Sequence, residues 1–185
     1  TAYLSYDDKN IYAVFVCKDE PGKVRGRMAK REDIGSDDNV GILLDTFHDQ
    51  RRAYMFLVNP RGIQSDAILT EGQADDFSFD TLWYSEARLT PDGYVVWIAI
   101  PFRSLRFPRT PQQTWGFSLG RLIVRANELS FWPYITQREV GFMNQFANLE
   151  GLENISPGHN LQFIPYGMFT RSRFLDPAAA GGPNF

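Results

Sequence analysis

The sequence predicts an all-β protein, an antiparallel, jelly-roll-like β-sandwich of about nine or ten strands with at most one or two short helical turns. Three observations carry that expectation. Aromatic residues make up 15% of the 185-residue chain, and their flat rings favour the pleated, half-buried surface of a sheet. Short apolar runs recur along the chain, separated by clusters of Pro, Gly, Asn and Asp. No convincing long amphipathic helix competes with them.

The elements follow in order. A strand-like pattern begins almost at Thr1. Ile11–Cys17 is rich in β-branched and aromatic residues and reads as a central strand, after the turn Asp7-Asp8-Lys9-Asn10. Lys23–Ile34 is highly charged and reads as a loop or one short helix. Val40–Asp45 and Tyr54–Val58 are buried strands, and Asn59-Pro60-Arg61-Gly62 turns the chain into a return strand, Ile63–Thr70. Gly72–Asp80 is an acidic loop. Trp83–Leu89 alternates, and Pro91-Asp92-Gly93 joins it to Tyr94–Ile100. Three prolines interrupt Pro101–Pro111, where Phe102–Leu105 fits one helical turn. Trp115–Val124, Leu129–Tyr134, Phe146–Leu152 and Leu161–Thr170 complete the strands. Residues 1–155 are expected to form the sandwich, and 156–185 a linker or the start of a following β domain, with the break at Ser156-Pro157-Gly158. Both ends look cut from something longer.

Composition narrows function. The net charge is −3 with no basic patch, which argues against nucleic acid as a partner. The single cysteine, Cys17, lies in an apolar run and reads as a buried hydrophobe. The two histidines, His48 and His159, stand in no metal-binding spacing, and no nucleophile elbow or phosphate-cradling glycine loop is present. No catalytic residue is therefore expected. The loop carboxylates are the one abundant chemical resource. Most read as solvated, and a structural Ca2+ is the next reading, with Asp66 and Asp45 as candidate ligands. Arg31, Arg52 and Arg121 are candidate partners for these acids.

Several segments together carry a resemblance. They are Gly35–Asp49, Arg52–Tyr54 with Val58–Gly62, Gly93–Phe102 with Leu105–Phe107, and Trp115-Gly116. The flanking Ser5–Val16 and Phe146–Leu152 match as well. This pattern resembles the family 9 carbohydrate-binding modules. More closely, it resembles the family-9-like domain at the start of bacterial proteins whose remainder is a β-barrel-like domain of unknown function. The resemblance implies a β-sandwich that binds oligosaccharide or polysaccharide without catalysis. It also implies a larger exported protein, periplasmic or outer-membrane-associated in a Gram-negative bacterium. Docking to a β-barrel in the same polypeptide, without sugar binding, is the alternative.

Sugar-binding members of that family clamp a glucose-like ring between two tryptophans. The resemblance puts one at Gly35 and the other in the stretch holding Val140 and Phe142, so neither tryptophan is present. The family's polar groups map near Gly41 and Phe56-Leu57. The candidate sugar-contacting residues are therefore Trp132 and Tyr134 at a strand end, Trp83 beside the acidic loop, Arg52, Asp38, and Phe142 as a softer wall. Trp97 and Trp115 sit inside apolar strands and are expected in the core.

Overall fold

The computed structural model describes residues 1–158 and 165–171. Among the described residues, ten strands form two antiparallel sheets packed face to face. They are β1 (Ala2–Tyr6), β2 (Asn10–Lys18), β3 (Asn39–Asp45), β4 (Arg52–Val58), β5 (Gln64–Thr70), β6 (Tyr84–Thr90), β7 (Gly93–Pro101), β8 (Gln112–Ile123), β9 (Glu128–Trp132) and β10 (Ala147–Glu153). The four-stranded sheet has the order β1-β2-β7-β6. The six-stranded sheet runs β10-β8-β3-β4-β5, and β9 also pairs with β8. The twelve-residue β8 is long enough to take β10 along its first half and β9 along its second. The helical content among the described residues is three single 3-10 turns, one of them at Phe102–Ser104.

Strand alternation builds the core between the sheets. β2 turns Ile11, Ala13, Phe15 and Cys17 inward, and β7 answers with Tyr94, Val96, Ile98 and Ile100. From the other sheet come Val40, Ile42, Leu44, Phe56, Val58, Trp115 and Phe117. Trp115 is fully buried and meets Phe107 with ring centroids 5.2 Å apart. Trp97 corrects the expectation from sequence. It faces outward and is 36% exposed, because Val96 and Ile98 take the inward positions on either side of it. The run Tyr94–Ile100 is apolar on both faces, so periodicity alone could not phase it.

A second, smaller apolar cluster lies on the outer face of the six-stranded sheet. Leu43, Ala53, Met55, Ala67 and Leu69 point away from the sandwich core, and Met143 packs onto them with Phe142 and Phe146 alongside. These last three come from the 133–146 connection, which returns over the sheet before β10 begins.

The 19–38 connection between β2 and β3 is a loop, held from below by buried acids. Asp37 accepts hydrogen bonds from Arg27 Nε and Asn59 Nδ2, each 3.0 Å long. Asp38 accepts from the backbone N–H of Arg25 and of Val124, both at 2.8 Å. Carboxylates that accept such bonds hold a loop without a secondary-structure ladder. Of the expected strand Leu161–Thr170, residues 161–164 lie outside the described residues, and Pro165–Thr170 form no strand.

Candidate functional site

The cleft of interest opens on the outer face of the six-stranded sheet, with a volume of about 490 Å³. Its floor is set by strand register. Gly41 on β3 stands directly opposite Gly120 on β8, so two neighbouring strands present no side chain there. Glycine within a strand commonly marks such a close approach. Phe131 of β9 pairs with Gly120 and lays its ring into the vacant space, 3.4 Å from where a Gly120 Cβ would sit. Leu43, Met55 and Leu57 complete the floor.

Loops supply the walls. The 133–146 connection contributes Phe142 and Met143, with Phe131 and Phe142 meeting edge to face at 5.3 Å. The 19–38 connection contributes Ile34 and Gly35, and the acidic loop after β5 contributes the half-exposed Phe77. Each wall is anchored by a carboxylate. Glu71 accepts hydrogen bonds from the backbone N–H of Phe142 and of Met143, both at 3.1 Å. Glu32 accepts from Ser65 Oγ at 2.7 Å and from the Asp66 N–H at 3.1 Å. The rim is completed by Asn39, Gln73 and Asp75. The lining thus holds three carboxylates and no basic side chain. An apolar floor with aromatic walls and a rim of hydrogen-bond acceptors suits a neutral, hydroxyl-rich ligand and repels an anionic one.

The structure brings some sequence-derived candidates to this cleft and places others elsewhere. Phe142 lines it, as does Gly35. Trp132 does not. It projects from the other side of β9 over the open edge of the sandwich, against Phe117 at 5.3 Å, where a separate apolar pocket of about 620 Å³ opens between the sheets. Tyr134 is exposed beyond it, near Arg138 and Glu139. Arg52 is exposed at the start of β4. Trp83 is buried, with its edge against Phe56 and the Arg31 guanidinium 6.0 Å from its ring centre. Its indole face is therefore covered and has no route to a ligand in solution.

The acids expected at a ligand or cation site are committed to the fold. The Asp38 carboxylate ties two backbone N–H groups together, as described above. Asp45 accepts from the Asp49 N–H at 3.3 Å and the Gln50 N–H at 2.8 Å, closing a turn in which His48 and Gln50 take positive φ. Asp66 is fully buried, ion-paired with Arg31 and bonded to the Thr81 N–H at 3.0 Å. Arg121, another candidate partner, reaches Asp19 at 3.3 Å. No group of three or more His, Cys, Asp or Glu side chains among the described residues is arranged to hold a metal ion.

Sequence reasoning missed Phe77, Phe131, Glu32 and Glu71. Phe131 had a readable signal, since Phe131 and Trp132 must point to opposite sides of their strand. The pairing of Gly41 with Gly120 shows only once the strand register is known. Phe77 and Glu71 lie in and beside an acidic loop with no periodicity to phase them.

No family model matches the chain, and neither does any curated protein sequence. Solved structures do match. A candidate carbohydrate-binding protein from Bacteroides uniformis ATCC 8492 superposes with a TM-score of 0.66 at 12% identity, over 80% of this chain and 76% of that one. A family 9 carbohydrate-binding module from Caldicellulosiruptor kristjanssonii, solved with glucose, gives 0.53 at 17% identity, over 87% and 78%. The same description of module solved with cellotriose gives 0.52 at 17%, over 89% and 78%. The chain therefore has the fold of the family 9 carbohydrate-binding modules.

Proposed function

We propose that this chain is a non-catalytic carbohydrate-binding module whose site is the cleft on the outer face of the six-stranded sheet. One observation carries the reading. Gly35 stands where the resemblance puts one clamping tryptophan, and Phe142 lies in the stretch where it puts the other; both line this one cleft, while Val140 of that stretch is exposed outside it. The space left by the absent indoles is walled instead by Phe77, Phe131 and Phe142. A sugar ring offers apolar C–H faces and hydroxyl edges. The faces would meet Phe131 and Phe142, and the edges would donate to the rim carboxylates. The modules of the same fold solved with glucose and cellotriose support the ligand class. Glu32 and Glu71 already accept bonds from Ser65, Phe142 and Met143, which suits anchoring acids better than a catalytic pair.

The test is isothermal titration of the folded chain with glucose, cellobiose, cellotriose and the corresponding xylan, mannan and β-1,3-glucan oligomers. Saturable binding to at least one is expected, weakened about tenfold by Phe131→Ala through loss of one stacking wall. Absence of heat with every glycan from a folded sample would overturn the reading.

A further inference from the structure

The four-stranded sheet carries a different aromatic surface on its own outer face. Each strand turns one ring outward: Tyr3 on β1, Tyr12 on β2, Trp97 on β7 and Tyr84 on β6. The register shows how they line up. Tyr12 pairs with Ala99, and Ala99 with Tyr84, so these two rings share a row. Tyr3 pairs with Val14, and Val14 with Trp97, in the adjacent row. The rings zigzag across the sheet, one per strand, along a strip of about 15 Å, or three strand spacings. Tyr3 is 61% exposed, Tyr84 47% and Trp97 36%. None of the four lines the cleft or the inter-sheet pocket.

The strip is oriented in advance. Tyr12 stacks on Trp97 with centroids 6.1 Å apart and planes 29° from parallel. Its phenol donates to Asp7 Oδ2 at 2.8 Å and accepts from Asn10 Nδ2 at 3.0 Å. Rings already held in place lose little freedom when a ligand lands on them. Small or branched residues, Ala99 and Val14, lie between the rings and keep the surface low.

We propose that this strip is a second carbohydrate-binding surface, one that takes the flat face of an extended, uncharged polysaccharide chain. The proposal does not rest on the cleft. Tyrosine and tryptophan combine an apolar face with a polar tip, which matches a sugar's C–H face and hydroxyl edge. Glu86 stands in the same row as Trp97, directly opposite it, with Ser5 beside Tyr12. A sugar hydroxyl can satisfy that carboxylate. An apolar protein surface laid over it could not, because burying an unpaired charge is costly. Arg88 stands two residues beyond Glu86 on the same face, so the face carries both signs of charge and favours an uncharged ligand.

The experiment is retention on insoluble polysaccharide: microcrystalline cellulose, chitin and insoluble β-1,3-glucan. Wild type, the pair Trp97→Ala/Tyr84→Ala and Trp97→Phe are compared after thermal melts confirm folding. Tyr3→Ala, at the sheet edge, stands in if the pair fails to fold. Wild type is expected to partition onto at least one polymer. The alanine pair should lose about tenfold of that partition, while the conservative Trp97→Phe keeps it. No retention of wild type on any polymer would overturn the proposal. So would unchanged retention in the alanine pair, or a wild-type dimer in sedimentation that Trp97→Ala dissolves. The titration with soluble sugars reads the cleft separately, so either site can fail without the other.

Discussion

The two sheets of this sandwich turn different chemistry outward. The six-stranded face is Leu43, Met55, Leu57 and Phe131, and the 133–146 connection partly roofs it with Phe142 and Met143. The four-stranded face is Tyr3, Tyr12, Tyr84 and Trp97, each with a polar tip, and it lies open. Topology explains the contrast. β9 and β10 share one edge of β8, so the chain between them has to return along that sheet, and it does so across the outer face. The strands of the four-stranded sheet are joined in pairs by two tight hairpins, at Asp7–Lys9 and at Pro91-Asp92, and neither connection is long enough to cross its outer face. A roofed face becomes a cleft deep enough for a sugar ring. A bare face stays flat and can meet only something long.

The sharpest way to break this contrast is to fill the cleft's floor. A Cβ on Gly41 would overlap the Phe56 carbonyl oxygen and come within 2.6 Å of Leu57 Cδ2. The first obstacle is backbone and cannot swing aside. Gly41→Val is expected to cost about 3 kcal/mol, the upper end of overpacking penalties. A urea titration measures it. A loss under about 0.5 kcal/mol would mean that β3 and β4 adjust freely, and the floor would not be rigid.

Next in size is the wall that carries Gly35. Arg31 binds the buried Asp66 through its guanidinium and also reaches the Thr81 carbonyl at 3.0 Å and Asp80 at 3.1 Å. Burial works against the charge on Arg31, but Asp66 outweighs it and raises the guanidinium pKa. Arg31→Ala would leave Asp66 buried and uncompensated. Stranding a buried charge costs about 3–5 kcal/mol, and the partial exposure of Arg31 reduces that to about 2 kcal/mol. Thermal melts should show the loss of stability. Sugar affinity in the cleft should fall with it, while retention on polysaccharide should not. Equal losses at both surfaces would show that the two faces are not independent.

Most of the scaffold was legible because sandwich strands carry a local signal. β2, β3, β4, β7 and β10 stand within about two residues of where apolar runs and turn residues put them. β8 begins at Gln112, three residues before Trp115, because Gln112 and Gln113 pair with β10 despite being polar. The orientation of Trp97 was not legible, since a run apolar on both faces has no phase. The site was half legible. The resemblance led to Gly35 and to the stretch of Val140 and Phe142; the fold brings Gly35 and Phe142 to one cleft and leaves Val140 exposed outside it. Phe77, Phe131 and Glu71 arrive there from separate segments, and only the packing of a loop over a sheet joins them. The aromatic strip is legible only after pairing is known, because one ring per strand is a property of register.

The smallest expected effect concerns the strip's orientation. Asp7 accepts bonds from the Lys9 N–H at 2.8 Å, the Asn10 N–H at 2.7 Å and the Tyr12 phenol at 2.8 Å. The Lys9 N–H and then Tyr12 hold its carboxyl below the ordinary aspartate value. A depressed carboxyl stabilises the fold fully above that ordinary value, about 3.9, and loses the contribution as pH falls through the lowered one. The same bond to Asp7 raises the Tyr12 phenol. That contribution is present below the ordinary tyrosine value of about 10 and is lost as pH rises through the raised one. The Tyr12–Trp97 stack should therefore hold its geometry from about pH 4 to about pH 10 and loosen only in acid or strong base. Tryptophan fluorescence and polysaccharide retention, followed against pH, read this directly. Both should be flat through neutrality and fall slightly in acid, and Asp7→Asn should remove the acid limb. The cleft lies on the other sheet, so its sugar affinity should be the same in wild type and Asp7→Asn. An acid limb that survives in Asp7→Asn would mean that something other than this turn positions the ring.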